Sequence, residues 1–171
     1  MNIALTGFMG TGKTAVGKKL AKKLDMKYID TDLMIEKEAG LTIPGIFKKF
    51  GEPCFRDLET KAVKSAAKLD NCVIATGGGV VLRKQNMEAL QKNAVVVCLE
   101  ANVDVIMKRT SKNRKRPLLA DVEDTRKKIK EMLSFRKPFY KRADLKIDTS
   151  SMTAGAVVKK IIEFISSHRS A

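Results

Sequence analysis

Apolar and polar positions along this chain fall into two alternating rhythms. Residues 2–6, Cys72-Val73-Ile74-Ala75 and Ala94-Val95-Val96-Val97-Cys98-Leu99 are short apolar runs that read as strands, the latter two buried. Two weaker strands are expected. Lys27-Tyr28-Ile29-Asp30-Thr31-Asp32 is short and ends in carboxylates, and Leu145-Lys146-Ile147-Asp148-Thr149 alternates and is more exposed. Between them the apolar spacing becomes helical. Val16, Leu20, Ala21 and Leu24 share one face of a helix over 13–24, with lysines opposite. Further helices are expected from about Leu33 to Gly40, and from Pro44 through Ile46, Phe47 and Phe50. After a break at Gly51-Glu52-Pro53, others follow over Phe55–Leu69, Val80–Lys92, Val103–Thr110, 123–140 and Ala154–Ile165. Pro138 should kink or end the helix that carries Ile129, Leu133, Arg136 and Tyr140. Strand followed by helix, about five times over, predicts an α/β fold: a parallel sheet sandwiched between helices, with ligands at the carboxyl ends of the strands. No repeat or linker divides the chain, so residues 1–171 are read as one domain.

Composition narrows this. With 44% hydrophobic and 31% charged residues the chain has the balance of a soluble globular protein. It carries no apolar stretch of the roughly eighteen residues that would suggest a membrane span. It enters its first strand without the regions of a signal peptide, so a cytoplasmic location is expected. Cys54, Cys72 and Cys98 form no C-x-x-C pair, and only His168 could join them at a metal, so disulfides and structural zinc are not expected. The net charge of +15 raises nucleic acid as a partner. Yet the basic residues are spread over several elements and no aromatic residues interleave them as a stacking platform requires, so nucleic acid is not expected. Small polyanionic substrates suit the charge equally.

Candidate chemistry begins at Gly7-Phe8-Met9-Gly10-Thr11-Gly12-Lys13-Thr14, between the first strand and the first helix. G-x-x-x-x-G-K-[ST] in that context reads as a phosphate-binding loop. Glycines let successive backbone N–H groups turn toward one anion, and the helix start adds its positive end. Lys13 can reach the terminal phosphates, and the Thr14 hydroxyl is placed for Mg²⁺. The same letters also fit G-x-G-x-x-[GA] from Gly10 to Ala15, with Asp30 at the distance of a ribose-binding carboxylate, which makes a dinucleotide turn the rival. The Lys-Thr pair favours the triphosphate reading.

Other unusual features lie at strand ends. Asp30 and Asp32 are two apart and would share a face in extended chain. They suit a metal or substrate donors, or Asp32 caps the next helix. Arg56 opens a helix against its dipole and can touch Glu59, three residues on, which points to a binding role. Gly77-Gly78-Gly79 suggests that a ligand or another backbone comes close. Ser111-Lys112-Asn113-Arg114-Lys115-Arg116-Pro117 reads as a mobile basic surface segment, either a lid over phosphates or a solvated linker.

Taken together, GFMGTGKTAVG (7–17), YIDTDLMIE (28–36), FRDLE (55–59), ATGGGVV (75–81), RTSKNRKRPLL (109–119) and RKPFYKRAD (136–144) resemble the shikimate kinase family, in order and over nearly the whole chain. The resemblance implies a three-layer P-loop fold of the nucleoside-monophosphate-kinase type with a five-stranded parallel sheet, substrate-binding helices at about 32–61 and a mobile lid at about 111–123. It implies transfer of the ATP γ-phosphoryl group to the 3-hydroxyl of shikimate, with Mg²⁺, in the cytoplasmic route to chorismate and the aromatic amino acids, by a monomer. By that resemblance Gly10, Thr11, Gly12, Lys13, Thr14 and Ala15 hold ATP, Thr14 and Asp30 serve the metal, and Arg109 packs on adenine. Asp32 hydrogen-bonds the shikimate hydroxyls and takes or orients the acceptor proton. Arg56 and Arg136 hold the carboxylate, Gly78 and Gly79 contact the ring, and Arg116 reaches over the transferred phosphate from the lid. Gly45 stands where the family often has glutamate, and Thr153-Ala154 where it often has proline.

Overall fold

Five strands form one parallel sheet in the computed structural model, which describes residues 1–111 and 124–169. The strands are β1 (Asn2–Gly7), β2 (Lys27–Asp30), β3 (Cys72–Ala75), β4 (Ala94–Glu100) and β5 (Leu145–Asp148), in the spatial order β2-β3-β1-β4-β5. Between and after them run α1 (Lys13–Leu24), α2 (Thr31–Ala39), α3 (Ile43–Ala67), α4 (Lys84–Gln91), α5 (Val103–Thr110), α6 (Thr125–Tyr140) and α7 (Ala154–Arg169).

The period of two in β1 divides the core. Ile3 and Leu5 face Val16, Leu20 and Ala21 of α1 and Val157, Val158, Ile161 and Ile165 of α7. Ala4 faces the other way, into a cluster with Phe8, Val63 of α3, Met87 and Leu90 of α4, Ile106 of α5 and Ile129 and Tyr140 of α6. Each large aliphatic side chain buried this way contributes about 1.5–3 kcal/mol, which is why two layers of amphipathic helix cover a sheet apolar on both faces. A third cluster, Ile35, Ile46, Phe55 and Ala62, packs α2 on α3. Cys72 and Cys98 are buried in β3 and β4 as free thiols, as expected of small core side chains. Among the described residues no helix is long and apolar enough to cross a membrane.

Three boundaries depart from the pattern in the sequence, while Pro138 ends its helix as expected. β2 stops at Asp30, and Thr31 already opens α2, so Asp32 lies in a helical first turn and not in extended chain. Asp30, not Asp32, is the cap: its Oδ1 accepts from the amides of Asp32 (3.0 Å) and Leu33 (3.4 Å). The break before the long helix is confined to Gly51, whose φ of 79° and ψ of 173° interrupt α3. Glu52 and Pro53 belong to the segment after it, where a first-turn proline costs no hydrogen bond. Val80–Lys92 is not one helix. A 3₁₀ turn at Val80–Leu82 is separated from α4 by Arg83 in extended conformation, and Asn86 Nδ2 donates to Val80 O across the step. Pro138 sits within the last turn of α6, which runs only two residues beyond it.

The basic segment expected as a lid lies outside the described residues apart from Ser111, and Arg116 lies outside them with it.

Candidate active site

β1 ends at Gly7, whose φ of 131° and close approach to β4 exclude a side chain: a Cβ there would sit 2.1 Å from Leu99 O. The chain then curls through Gly10 (φ 77°) and Gly12 (φ 99°) into α1. No side chain caps α1 at Gly12, and an uncapped helix start after a glycine loop is an arrangement that can receive an anion. Lys13 Nζ lies back over the loop and donates to Gly7 O (2.7 Å) and Phe8 O (2.9 Å). The loop is braced from behind. Thr11 Oγ1 donates to Phe8 O (2.8 Å), Thr149 Oγ1 to Thr11 O (2.9 Å), and Arg109 spans from Gly10 O (3.1 Å) to the Thr149 carbonyl (3.1 Å).

A cleft of about 280 Å³ opens over this loop, lined by Gly10, Gly12, Lys13, Thr14, Ala15 and Arg109, and continues to Asp30, Asp32, Thr76, Gly77 and Gly78. Thus the end of β1, the β2–α2 junction and the end of β3 meet in one place, because β3 lies between β1 and β2 in the sheet. A larger cavity of about 340 Å³, walled by Phe8, Leu99, Leu133 and Tyr140, holds none of Lys13, Thr14, Asp30 or Asp32. The chemistry belongs to the smaller one.

The oxygen donors in the cleft are those a magnesium ion takes. Thr14 offers a hydroxyl and Asp30 and Asp32 offer carboxylates, while no cluster of three or more His, Cys, Asp or Glu occurs among the described residues. One or two carboxylates with room for water and phosphate oxygens suit Mg²⁺ better than a closed protein cage would. The Tyr28 hydroxyl donates to Asp30 Oδ2 (3.1 Å). Burial first, and then the Asp30 charge, pushes its phenol well above the usual tyrosine range, so it remains a donor.

Behind the glycine run that ends the cleft lie two buried arginines. Arg56 donates from Nη1 to Glu59 Oε2 (2.9 Å), and from Nη2 and Nε to Glu52 Oε1 (3.0 and 3.2 Å). Arg136 lies over the Phe8 ring, 5.4 Å from its centre. Both pack on the glycine run. A Cβ on Gly79 would stand 2.1 Å from Arg56 Nη1, and one on Gly78 3.5 Å from Arg136 Nη1. At Gly77 a Cβ would meet Asp32 Oδ1 at 2.8 Å and Glu59 Oε1 at 3.0 Å. None of the three has a positive φ, so they are glycines for space and not for conformation. Tyr140 OH donates to Gly78 O (2.9 Å) and ties the run to α6.

Glu59 is the residue that sequence reasoning undervalued. Its pairing with Arg56 follows from the three-residue spacing, but its burial, at 1% exposure, does not. Burial pushes its carboxyl up, and the guanidiniums of Arg56, Arg136 and Arg83 pull it part of the way back. Its Oε1 has no hydrogen-bond partner among the described residues, an acceptor held ready beside Gly77. Tyr28 and Tyr140 were also missed as site residues. Their only sequence signals are β-strand spacing to Asp30 and helical spacing to Arg136.

The family profile for shikimate kinase matches residues 9–166. A shikimate kinase from Caldanaerobacter subterraneus subsp. tengcongensis is 53% identical over 161 residues, covering 94% of each chain. One from Geobacter sulfurreducens is 40% identical over 168 residues, 98% of this chain and 92% of its own. Among solved structures, shikimate kinase from Acinetobacter baumannii in complex with shikimate matches with a TM-score of 0.94 at 39% identity, over 98% of this chain and 93% of that one. Shikimate kinase from Aquifex aeolicus matches with a TM-score of 0.83 at 31% identity, over 99% and 98%.

Proposed function

This chain belongs to the shikimate kinase family, and from that premise we propose that it moves the γ-phosphoryl group of ATP to the 3-hydroxyl of shikimate. The observation that carries the reading is the continuity of one cleft from the phosphate loop at Lys13 and Thr14 to Gly78, against which the buried Arg136 packs. A donor phosphate and an acceptor carrying a carboxylate can be held there at once.

Phosphoryl transfer asks for alignment and charge neutralisation more than for covalent chemistry. Gly10, Thr11, Gly12, Lys13, Thr14 and Ala15 hold the phosphates through the loop and the open start of α1. Lys13 exchanges its two loop carbonyls for the terminal phosphate oxygens. Arg109, fixed between Gly10 and Thr149, presents its guanidinium face to adenine. Thr14 and Asp30 would hold Mg²⁺, Asp30 through water, and the ion would supply charge neutralisation for the phosphates. Arg56 and Arg136 grip the shikimate carboxylate, which a guanidinium fork fits geometrically. Gly78 and Gly79 allow the ring close to the backbone, and Asp32 orients the 3-hydroxyl and accepts its proton as the new bond forms. Arg116, by its place in the family motif, neutralises the transferring group. Residues 1–171 work as one kinase unit and as a monomer, with 32–61 as the acceptor side, in the cytoplasmic route to chorismate.

Specificity is the direct test. ADP release is measured with Mg·ATP and, one at a time, shikimate, gluconate, a nucleoside monophosphate and no acceptor. Shikimate alone is expected to stimulate release well above the acceptor-free rate. Equal rates with and without shikimate, or faster release with another acceptor, would overturn the assignment.

A further inference from the structure

Asp30 carries two unrelated contacts at once. Its Oδ1 caps α2 by accepting from the amides of Asp32 and Leu33, while its Oδ2 accepts from the Tyr28 hydroxyl at 3.1 Å. Tyr28 and Asp30 are two apart on β2, so their side chains rise from the same face of the strand. The ring is itself wedged. It packs so closely on Gly17 of α1 that a Cβ there would meet Tyr28 Cε2 at 2.8 Å, and Lys18 Nζ lies 5.8 Å from the ring centre. Thr14 and Asp30 come from different strand–helix junctions, and Tyr28 holds the second of them while its ring packs on the helix that carries the first.

We infer that Tyr28 is a positioning residue of the cation site, its phenol fixing the orientation of the Asp30 carboxylate. The inference rests on the reading of Thr14 and Asp30 as the residues that hold Mg²⁺. A carboxylate bonded at one oxygen only can rotate about its Cβ–Cγ axis. Donors at both oxygens remove that freedom and leave a defined lone pair on Oδ2 for a water of the cation. The helix amides hold one side whatever occupies the cleft. The phenol holds the other, from a ring wedged against Gly17 of α1. Tyr28 does not itself reach the reacting atoms. Its effect is on how firmly the cation is held and leaves the acceptor's carboxylate grip at Arg56 and Arg136 untouched.

The test is cation binding by the purified full-length protein with ADP, using Mn²⁺ as the probe and the electron paramagnetic resonance signal of free Mn²⁺ as the readout. Tyr28→Phe keeps the ring on Gly17 and removes only the hydroxyl. It is expected to weaken Mn²⁺ binding in the nucleotide complex about tenfold, the low end for loss of a partner that orients a ligand. Shikimate KM and the thermal midpoint are expected to stay near those of the parent. Asp30→Asn, which retains a capping side chain for α2, is expected to weaken Mn²⁺ as well. Adding Tyr28→Phe to it should then change the affinity little further, because the phenol acts through the carboxylate. Unchanged Mn²⁺ affinity in Tyr28→Phe while Asp30→Asn loses it overturns the inference and leaves the proposed function standing. Full additivity of the two substitutions overturns it too. Unchanged affinity in Asp30→Asn removes Asp30 from the cation site, and the inference falls with it.

Discussion

Lys13→Met lowers turnover by about 10²–10³-fold, the scale of losing one charged donor aimed at the transferring group. The ammonium donates to two carbonyls of its own loop, so it stands within the curl that the terminal phosphates must occupy. Methionine has similar length and packs similarly, but it offers no charge. Losing two part-buried hydrogen bonds costs about 1–3 kcal/mol of stability, which for a chain of 171 residues lowers the melting midpoint by only several degrees. The substitution therefore separates chemistry from folding. Steady-state kinetics should report a collapse in kcat with the acceptor KM little moved, while circular dichroism reports an intact fold. Near-normal turnover would remove Lys13 from the mechanism.

Arg56→Lys is the second large effect, on the opposite wall and of the opposite kind. Arg56 is buried and its guanidinium makes three hydrogen bonds to two carboxylates, lying flat against Gly79. Truncation to alanine would strand Glu59 as a buried unpaired charge, at about 3–5 kcal/mol, and would confuse a binding loss with an unfolding one. Lysine keeps a positive charge for Glu59. What it cannot do is present two parallel N–H groups to a planar carboxylate while also bonding Glu59 and Glu52. Shikimate KM is expected to rise roughly 10- to 100-fold, as when one charge-assisted bond of about 1.5–3 kcal/mol is lost, with a smaller change in kcat. An unchanged KM would place the substrate carboxylate elsewhere.

These two predictions differ in how much of their basis could be read before the fold was known. Lys13 is legible from eight consecutive letters, because the loop is local: glycines, lysine and threonine do their work within one turn of chain. The parallel sheet was legible for the same reason, since each βα unit announces itself by a change of period. Arg56 was legible only as an oddity, a positive charge at the wrong end of a helix. Its burial comes from Phe55, Ala62 and Val63 on the same helix face entering two different clusters, and from Gly79 arriving from β3. That is a meeting of elements more than twenty residues apart.

The misreadings share a cause. The alternation of Tyr28, Asp30 and Asp32 carries β2 two residues too far and places Asp32 in extended chain. With only four residues in the strand, the capping preference of Asp30 outweighs the alternation of Tyr28, Asp30 and Asp32 and starts the helix early. Helix periodicity likewise ran straight through Arg83, because Val80, Val81, Met87 and Leu90 are all core residues and nothing in their spacing reveals the extended residue between them. The three glycines after β3 suggest that a ligand or another backbone comes close. What approaches, Arg56, Arg136 and the carboxylates of Asp32 and Glu59, is decided by tertiary packing. The support of the site by Tyr28 and Tyr140 shows in the sequence only as spacing to Asp30 and Arg136, and that by Thr149 not at all, since each contributes a single hydroxyl that any strand or helix could carry.

The central claim is that one cleft takes phosphate from ATP at the loop and delivers it to a particular oxygen of shikimate. The most direct measurement is ³¹P nuclear magnetic resonance of the full reaction, with Mg·ATP and shikimate, followed by proton–phosphorus correlation on the product. A phosphate monoester resonance coupled to the proton on C3 of the ring, growing in step with ADP, is the predicted result. Phosphorus appearing only as inorganic phosphate, or coupled to a different ring position, would contradict the account.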